Sequence, residues 1–142
     1  MFKLKKYFFI GLGGFLGAIL RFLVKSAPIN NFGNNIPVNT LIINITGSFL
    51  LAFITTAALE GFKINTDLKL GICTGFLGAY TTFSTLCKES SELIYKAHYF
   101  YSITYVLNSA FLGLTAAYLG VVAGRIAATK LLNRTIENLG EN

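Results

Sequence analysis

Between Gly75 and Glu89 the chain reads GFLGAYTTFSTLCKE, which gathers Thr81, Thr82, Ser84 and Thr85 around Phe83. Hydroxyls donate hydrogen bonds without carrying charge. A phenyl ring is negative on its face and positive on its edge, so an anion can meet the edge favourably. Gly78-Ala79-Tyr80-Thr81 is a place where a helix could break. Carbonyls freed at such a break must face protein, water or an ion, and they suit a cation such as Na⁺. Two further faces repeat the pattern. Thr40, Asn44 and Ser48 are spaced by four in VNTLIINITGSF and share a helical face, as do Tyr101, Tyr105 and Ser109, with Asn108 beside them. The plainer alternatives are back-bonding of each hydroxyl to its own helix and packing of Phe83 in a core.

Asp and Glu are absent from the interiors of the apolar runs; Glu60 and Glu89 stand at ends. Proton-coupled transporters and cation pores rely on membrane-embedded carboxylates. A neutral row of donors suits a small anion, water or a small polar solute instead. Arg21 is the cation within a run. It either draws anions into a vestibule or snorkels to lipid headgroups. Enzymatic chemistry has no support: there is no nucleophile–base pair, and His98 is the single histidine. Cys73 and Cys87 read as buried free thiols rather than a disulfide or metal site. GLGGFLG is not a dinucleotide loop, because Leu16 occupies the third glycine position and no βαβ unit surrounds it.

The elements that position these residues follow from composition. Of 142 residues 54% are hydrophobic and 13% charged, and mean hydropathy is +0.61. Soluble domains carry about 25% charged residues, so this chain is read as an integral membrane protein. A crossing helix needs about 20 apolar residues. Four spans are predicted: Tyr7 to Val24; a helix starting at Pro37 within the charge-free interval Ser26 to Leu59; Leu70 to Cys87; and one between Lys96 and Arg125. Residues 1–129 form this transmembrane domain and 130–142 a polar, frayed tail. Lys3, Lys5 and Lys6 before the first run resemble a signal peptide, but Arg21 and the lack of an Ala-x-Ala site favour a retained helix.

With four spans the termini and the second link share one side, holding Lys3, Lys5, Lys6, Lys63, Lys69, Arg125, Lys130 and Arg134. The other side holds Arg21, Lys25, Lys88 and Lys96. The bias toward termini inside is modest, and such a chain can insert both ways. The net charge of +6 sits between apolar runs, where it meets lipid headgroups rather than nucleic acid. Gly13 and Gly17, Gly71 and Gly75, and Gly120 and Gly124 have helix-packing spacing. They serve packing within one chain, a dimer, or both.

GGFLGAILRF, NTLIINITGSF and GFLGAYTTFSTLCKE together resemble the Fluc or CrcB fluoride channel family in order, spacing and four-span length. The resemblance covers nearly the whole chain. It implies an all-α membrane protein with a broken third helix, assembled as an antiparallel dual-topology dimer in the cell membrane of a prokaryote-like cell. It implies a passive, fluoride-selective channel that gives fluoride resistance, with two pores at the dimer interface. A structural Na⁺ at the dimer centre would be held by the carbonyls of Gly78 and Thr81. The matching positions place Thr40, Asn44, Phe83, Ser84, Thr85, Tyr105 and Ser109 along the anion pathway, with Arg21 and Glu89 at the vestibule and pore end.

Two departures stand out. Leu86 occupies the position where the family usually has a second Phe, so half of the aromatic path is missing. Either the protein conducts as a homodimer with one ring per pore, or a paralogous chain supplies the other ring in a heterodimer. Asn39 stands where the family often has Gly. The competing readings are a small four-span multidrug or metabolite antiporter, which would want an acidic residue in its first span, and a membrane assembly subunit without transport.

Overall fold

In the computed structural model the backbone is described for residues 2–28, 36–61 and 65–140, and every described element is helical. Helix α1 (Phe2–Ser26) and helix α2 (Val38–Glu60) are the first two spans. The third begins with α3 (Thr66–Leu70), widens into a π-helical segment (Gly71–Leu77) and closes with α4 (Gly78–Tyr80). It resumes after a break as α5 (Phe83–Tyr95), and α6 (Tyr99–Gly140) is the fourth. Four stretches are long and apolar enough to cross a membrane: Leu4–Ser26, Val38–Glu60, Thr66–Tyr95 and Tyr99–Asn133. Lys63 and the side chains of Lys3 and Arg134 lie outside the described residues.

Packing sorts the helices by their small residues. Helix α1 lies along the π-helical segment and α4, while α2 lies along α6 and α5 leans on α6. The first contact is close enough that a Cβ at Gly13 would strike the Gly71 carbonyl, and one at Gly75 the Ile10 carbonyl. On the other side, a Cβ at Gly124 would come within 2.8 Å of the Phe53 carbonyl. The three glycine pairs therefore serve packing inside the chain, where backbone meets backbone and dispersion replaces the hydrophobic drive that lipid removes. Two small clusters form the interior: Ile43 with Leu77 and Tyr80, and Leu86 with Leu93 and Tyr105. Most other large apolar side chains, such as Phe15, Phe22, Phe100 and Phe111, face outward as lipid contact requires.

Three features differ from the sequence expectation. The third span is longer than Leu70 to Cys87, because the helix carries its charged flanks Lys69, Lys88 and Glu92 past the apolar core. Before the break it contains the π-helical segment Gly71–Leu77, which periodicity does not reveal. The tail expected to fray is helical through Gly140, since Lys130, Leu131 and Leu132 are good helix formers and Gly140 is the first glycine after Gly124. Earlier in the same helix, Arg125 Nε donates to Glu60 Oε1 at 3.1 Å, pairing two charges across to the end of α2.

Asn39 explains how α1 ends. Its Nδ2 lies 3.0, 2.9 and 3.0 Å from the carbonyls of Val24, Lys25 and Ala27. A helix leaves its last four carbonyls without partners. The two N–H bonds of this one amide, in the first turn of α2, serve three carbonyls near the end of α1, one by sharing. Asn39→Ala is expected to lower stability by about 1–3 kcal/mol, the cost of stranding partly buried acceptors. Thermal unfolding of the detergent-solubilised protein measures it.

Candidate functional site

The site is organised by the break in the third span. Thr81 has φ −73° and ψ 155°, and Thr82 has φ −151° and ψ 114°, so two extended residues separate α4 from α5. The break falls later than Gly78 to Thr81: Gly78, Ala79 and Tyr80 remain helical. β-Branched threonines tolerate extended backbone better than helix, and Thr82 also caps α5. Its Oγ1 accepts the Thr85 N–H at 3.2 Å and lies 2.9 Å from Thr85 Oγ1 and 3.3 Å from Ser84 Oγ. This is an N-cap of the Ser/Thr type.

Asn44 holds the break from the side. Its Oδ1 accepts the Thr82 N–H at 2.9 Å and its Nδ2 donates to the Thr82 carbonyl at 3.1 Å. The amide thus takes over the Thr82 N–H, which a continuous helix would pair with Gly78, and adds a second donor to the Thr82 carbonyl, which as the N-cap oxygen already begins the hydrogen-bond ladder of α5. Gly47, nearly one turn further along α2, makes the approach possible, because a Cβ there would overlap the Thr81 methyl. In a continuous helix the Thr82 and Thr85 N–H groups would point at the carbonyls of Gly78 and Thr81. Here both donors are used by side chains, which releases those two carbonyls from the helical pattern.

Two clefts flank Thr82. One, of about 360 Å³, is bordered by Asn44, Ser48, Phe83, Leu86 and Ser109. Phe83 is 78% exposed and is not a core residue of the chain, whereas Leu86 is 8% exposed and packs with Leu93 and Tyr105. Ser109 donates to its own helix at the Tyr105 carbonyl, 2.7 Å away, and so follows the back-bonding alternative. The other cleft, of about 460 Å³, is bordered by Arg21, Phe22, Lys25, Thr82, Ser84 and Thr85. It combines two cations with three hydroxyls.

A third group sits where α1, α2, α5 and α6 meet. Glu89 Oε1 accepts from Thr40 Oγ1 at 3.0 Å, and Oε2 accepts from the Tyr105 hydroxyl at 2.8 Å. Lys25 Nζ pairs with the same Oε1 and donates to Thr40 Oγ1 at 2.8 Å. Thr40 and Tyr105 are fully buried.

The residues expected along one track are therefore distributed over two clefts and a buried carboxylate cluster. Asn44, Phe83, Leu86 and Ser109 meet in the first cleft, Arg21, Ser84 and Thr85 in the second, and Thr40, Tyr105 and Glu89 in the cluster. Lys25 and Thr82 carry more of the site than their sequence context suggested. Lys25 had a signal: it lies four residues after Arg21, on the same helical face. Thr82 had none beyond its place in a hydroxyl cluster, since its contact with Asn44 spans 38 positions.

Four membrane-spanning helices with a broken third, and hydroxyl, amide and cationic groups around the break, define a small helical membrane protein built to receive a polar or anionic solute. Residues 8–121 match the family described as CrcB-like protein, Camphor Resistance (CrcB), and the chain belongs to that family. Its relatives include the fluoride-specific ion channel FluC 2 of Carboxydothermus hydrogenoformans, 41% identical over 94% of this chain and 95% of the relative. The fluoride-specific ion channels FluC of Thermosipho melanesiensis and Methanococcus maripaludis are 39% and 42% identical, each over 84% of this chain and 96% of the relative.

Proposed function

We propose that this protein is a fluoride channel that lets F⁻ leave the cell passively, and that it works as an antiparallel dual-topology dimer. The observation that carries the reading is the cleft where Arg21 and Lys25 face Thr82, Ser84 and Thr85. Arg21, which has no ion-pair partner among the described residues, offers long-range attraction to an anion, and the hydroxyls offer short-range neutral donors that can replace its water. Family membership narrows the anion to fluoride. Fluoride holds its hydration shell tightly, so a pore must supply close donors at every step; a narrow track of hydroxyls and a ring edge does so, and excludes larger chloride.

Dimerisation is supported by Phe83. A ring that is 78% exposed on the single chain, beside a half-open cleft, becomes a wall of a closed path when a second copy covers it. The break also fits a sodium ion. The released carbonyls of Gly78 and Thr81 are hard oxygen donors, and those two residues would hold the ion together with their counterparts in a second copy. Bound there, Na⁺ would stiffen the break and offset repulsion along the anion path.

The purified chain, reconstituted alone in liposomes, is expected to release fluoride and retain chloride, as followed by ion-selective electrodes. Efflux that appears only when a paralogous chain is added would refute the homodimer. Absence of efflux in both preparations would refute the channel.

A further inference from the structure

We propose that Lys25 is a positioning residue of the anion pathway: it neutralises Glu89 so that a carboxylate can stand beside the path without repelling the anion. The inference rests on the fluoride-channel reading. Glu89 presents a problem for that reading. Its side chain is only 12% exposed, and it stands one residue from Lys88 and four from Thr85, near a route meant for negative ions. A like charge disfavours an approaching anion, the more so where water is scarce.

The structure supplies the compensation from another helix. Lys25 closes the last turn of α1, pairs with Glu89 Oε1, and donates to Thr40 as well. Its position is fixed rather than incidental. Asn39 ties the carbonyls of Val24, Lys25 and Ala27 to the start of α2, one residue before Thr40. The same lysine borders the cleft of Thr82, Ser84 and Thr85, and its side chain remains 41% exposed. Arg21 borders that cleft too, but has no ion-pair partner among the described residues. The two cations therefore divide the work. Arg21 is left to attract the arriving anion, and Lys25 cancels the charge of Glu89. Glu89 in turn, by accepting from Thr40 and Tyr105, holds two pathway hydroxyls in place.

The test compares wild type, Lys25→Met, Lys25→Arg and the double variant Lys25→Met/Glu89→Gln by fluoride efflux from liposomes over a range of fluoride concentrations. Removal of one charge-assisted partner is expected to slow efflux about tenfold in Lys25→Met and to raise the half-saturating fluoride concentration. Lys25→Arg restores the rate, and the double variant is expected to be faster than Lys25→Met because both charges are gone, but slower than wild type because an amide keeps only one of the two acceptors that hold Thr40 and Tyr105. A purely structural lysine would leave the double variant as slow as Lys25→Met, or slower. That result, or an unchanged rate in Lys25→Met, overturns the assignment while wild type still conducts. Failure of wild type to release fluoride overturns the channel reading instead. Gel filtration of each variant separates slow transport from misfolding, and if Lys25→Met does not fold, the comparison of the double variant with Glu89→Gln decides: a slower double variant overturns the proposal.

Discussion

Asn44→Ala is expected to abolish measurable fluoride efflux and to destabilise the protein at the same time. The Asn44 amide is the partner of both the Thr82 N–H and the Thr82 carbonyl. Removing it strands the Thr82 N–H inside a membrane protein, at about 1–3 kcal/mol, and takes one of two donors from the Thr82 carbonyl. The chain then has reason to close the break and pair Thr82 along the helix, as lipid-embedded backbone must be satisfied internally. Closing it would withdraw the Gly78 and Thr81 carbonyls and re-aim Phe83, Ser84 and Thr85. Asn44→Asp separates the two effects. A carboxylate can still accept from the Thr82 N–H but cannot donate to the carbonyl, and it adds negative charge to the cleft. Its expected result is a better folded protein than Asn44→Ala with equally little efflux. Liposome efflux together with thermal unfolding measures both; full transport in Asn44→Ala would remove the amide from the mechanism.

Phe83→Ile is the second large effect, and it differs in kind. Phe83 is 78% exposed and belongs to neither interior cluster, so the substitution costs the single chain little packing. What is lost is the ring edge. Electrostatic contacts of aromatic rings are worth about 1–2 kcal/mol when desolvated. At an energetic barrier this corresponds to about five- to thirtyfold in rate. Efflux should therefore fall by that factor in Phe83→Ile while unfolding temperature and oligomer size remain those of wild type. Wild-type efflux would show that the ring lines no part of the path.

Leu86 gives the aromatic question a structural setting. The position expected to carry a second ring points into the cluster with Leu93 and Tyr105, while also bordering the cleft of Phe83. In this chain, Leu86 joins the wall of that cleft to the contact between α5 and α6.

The membrane class, the four spans and the positions of the glycine pairs were legible in the sequence, because each is a one-dimensional signal. Runs of about 20 apolar residues have few alternatives to a crossing helix, since unpaired backbone is not tolerated in hydrocarbon. The broken third span was also visible in outline, from a cluster of threonines after two glycines. Its position at Thr81 and Thr82 was not. That depended on Asn44, which lies on another helix and stabilises the break where its amide reaches.

The π-helical turn was hidden for a similar reason: it belongs to a segment pressed against the α1 backbone at Gly71 and Gly75, and no local period announces it. Sequence alone also grouped the polar residues by helix. Tertiary structure regrouped them, placing Lys25, Thr40 and Tyr105 around the Glu89 carboxylate and dividing the hydroxyls between two clefts. Hydrogen-bond partners and charge pairs are chosen across helices, by which side chains the packing of small residues brings within about 3 Å. Helix formation in a membrane is decided within each span, so the sequence determined the helices, and only their contact decided what Lys25, Asn39 and Asn44 do.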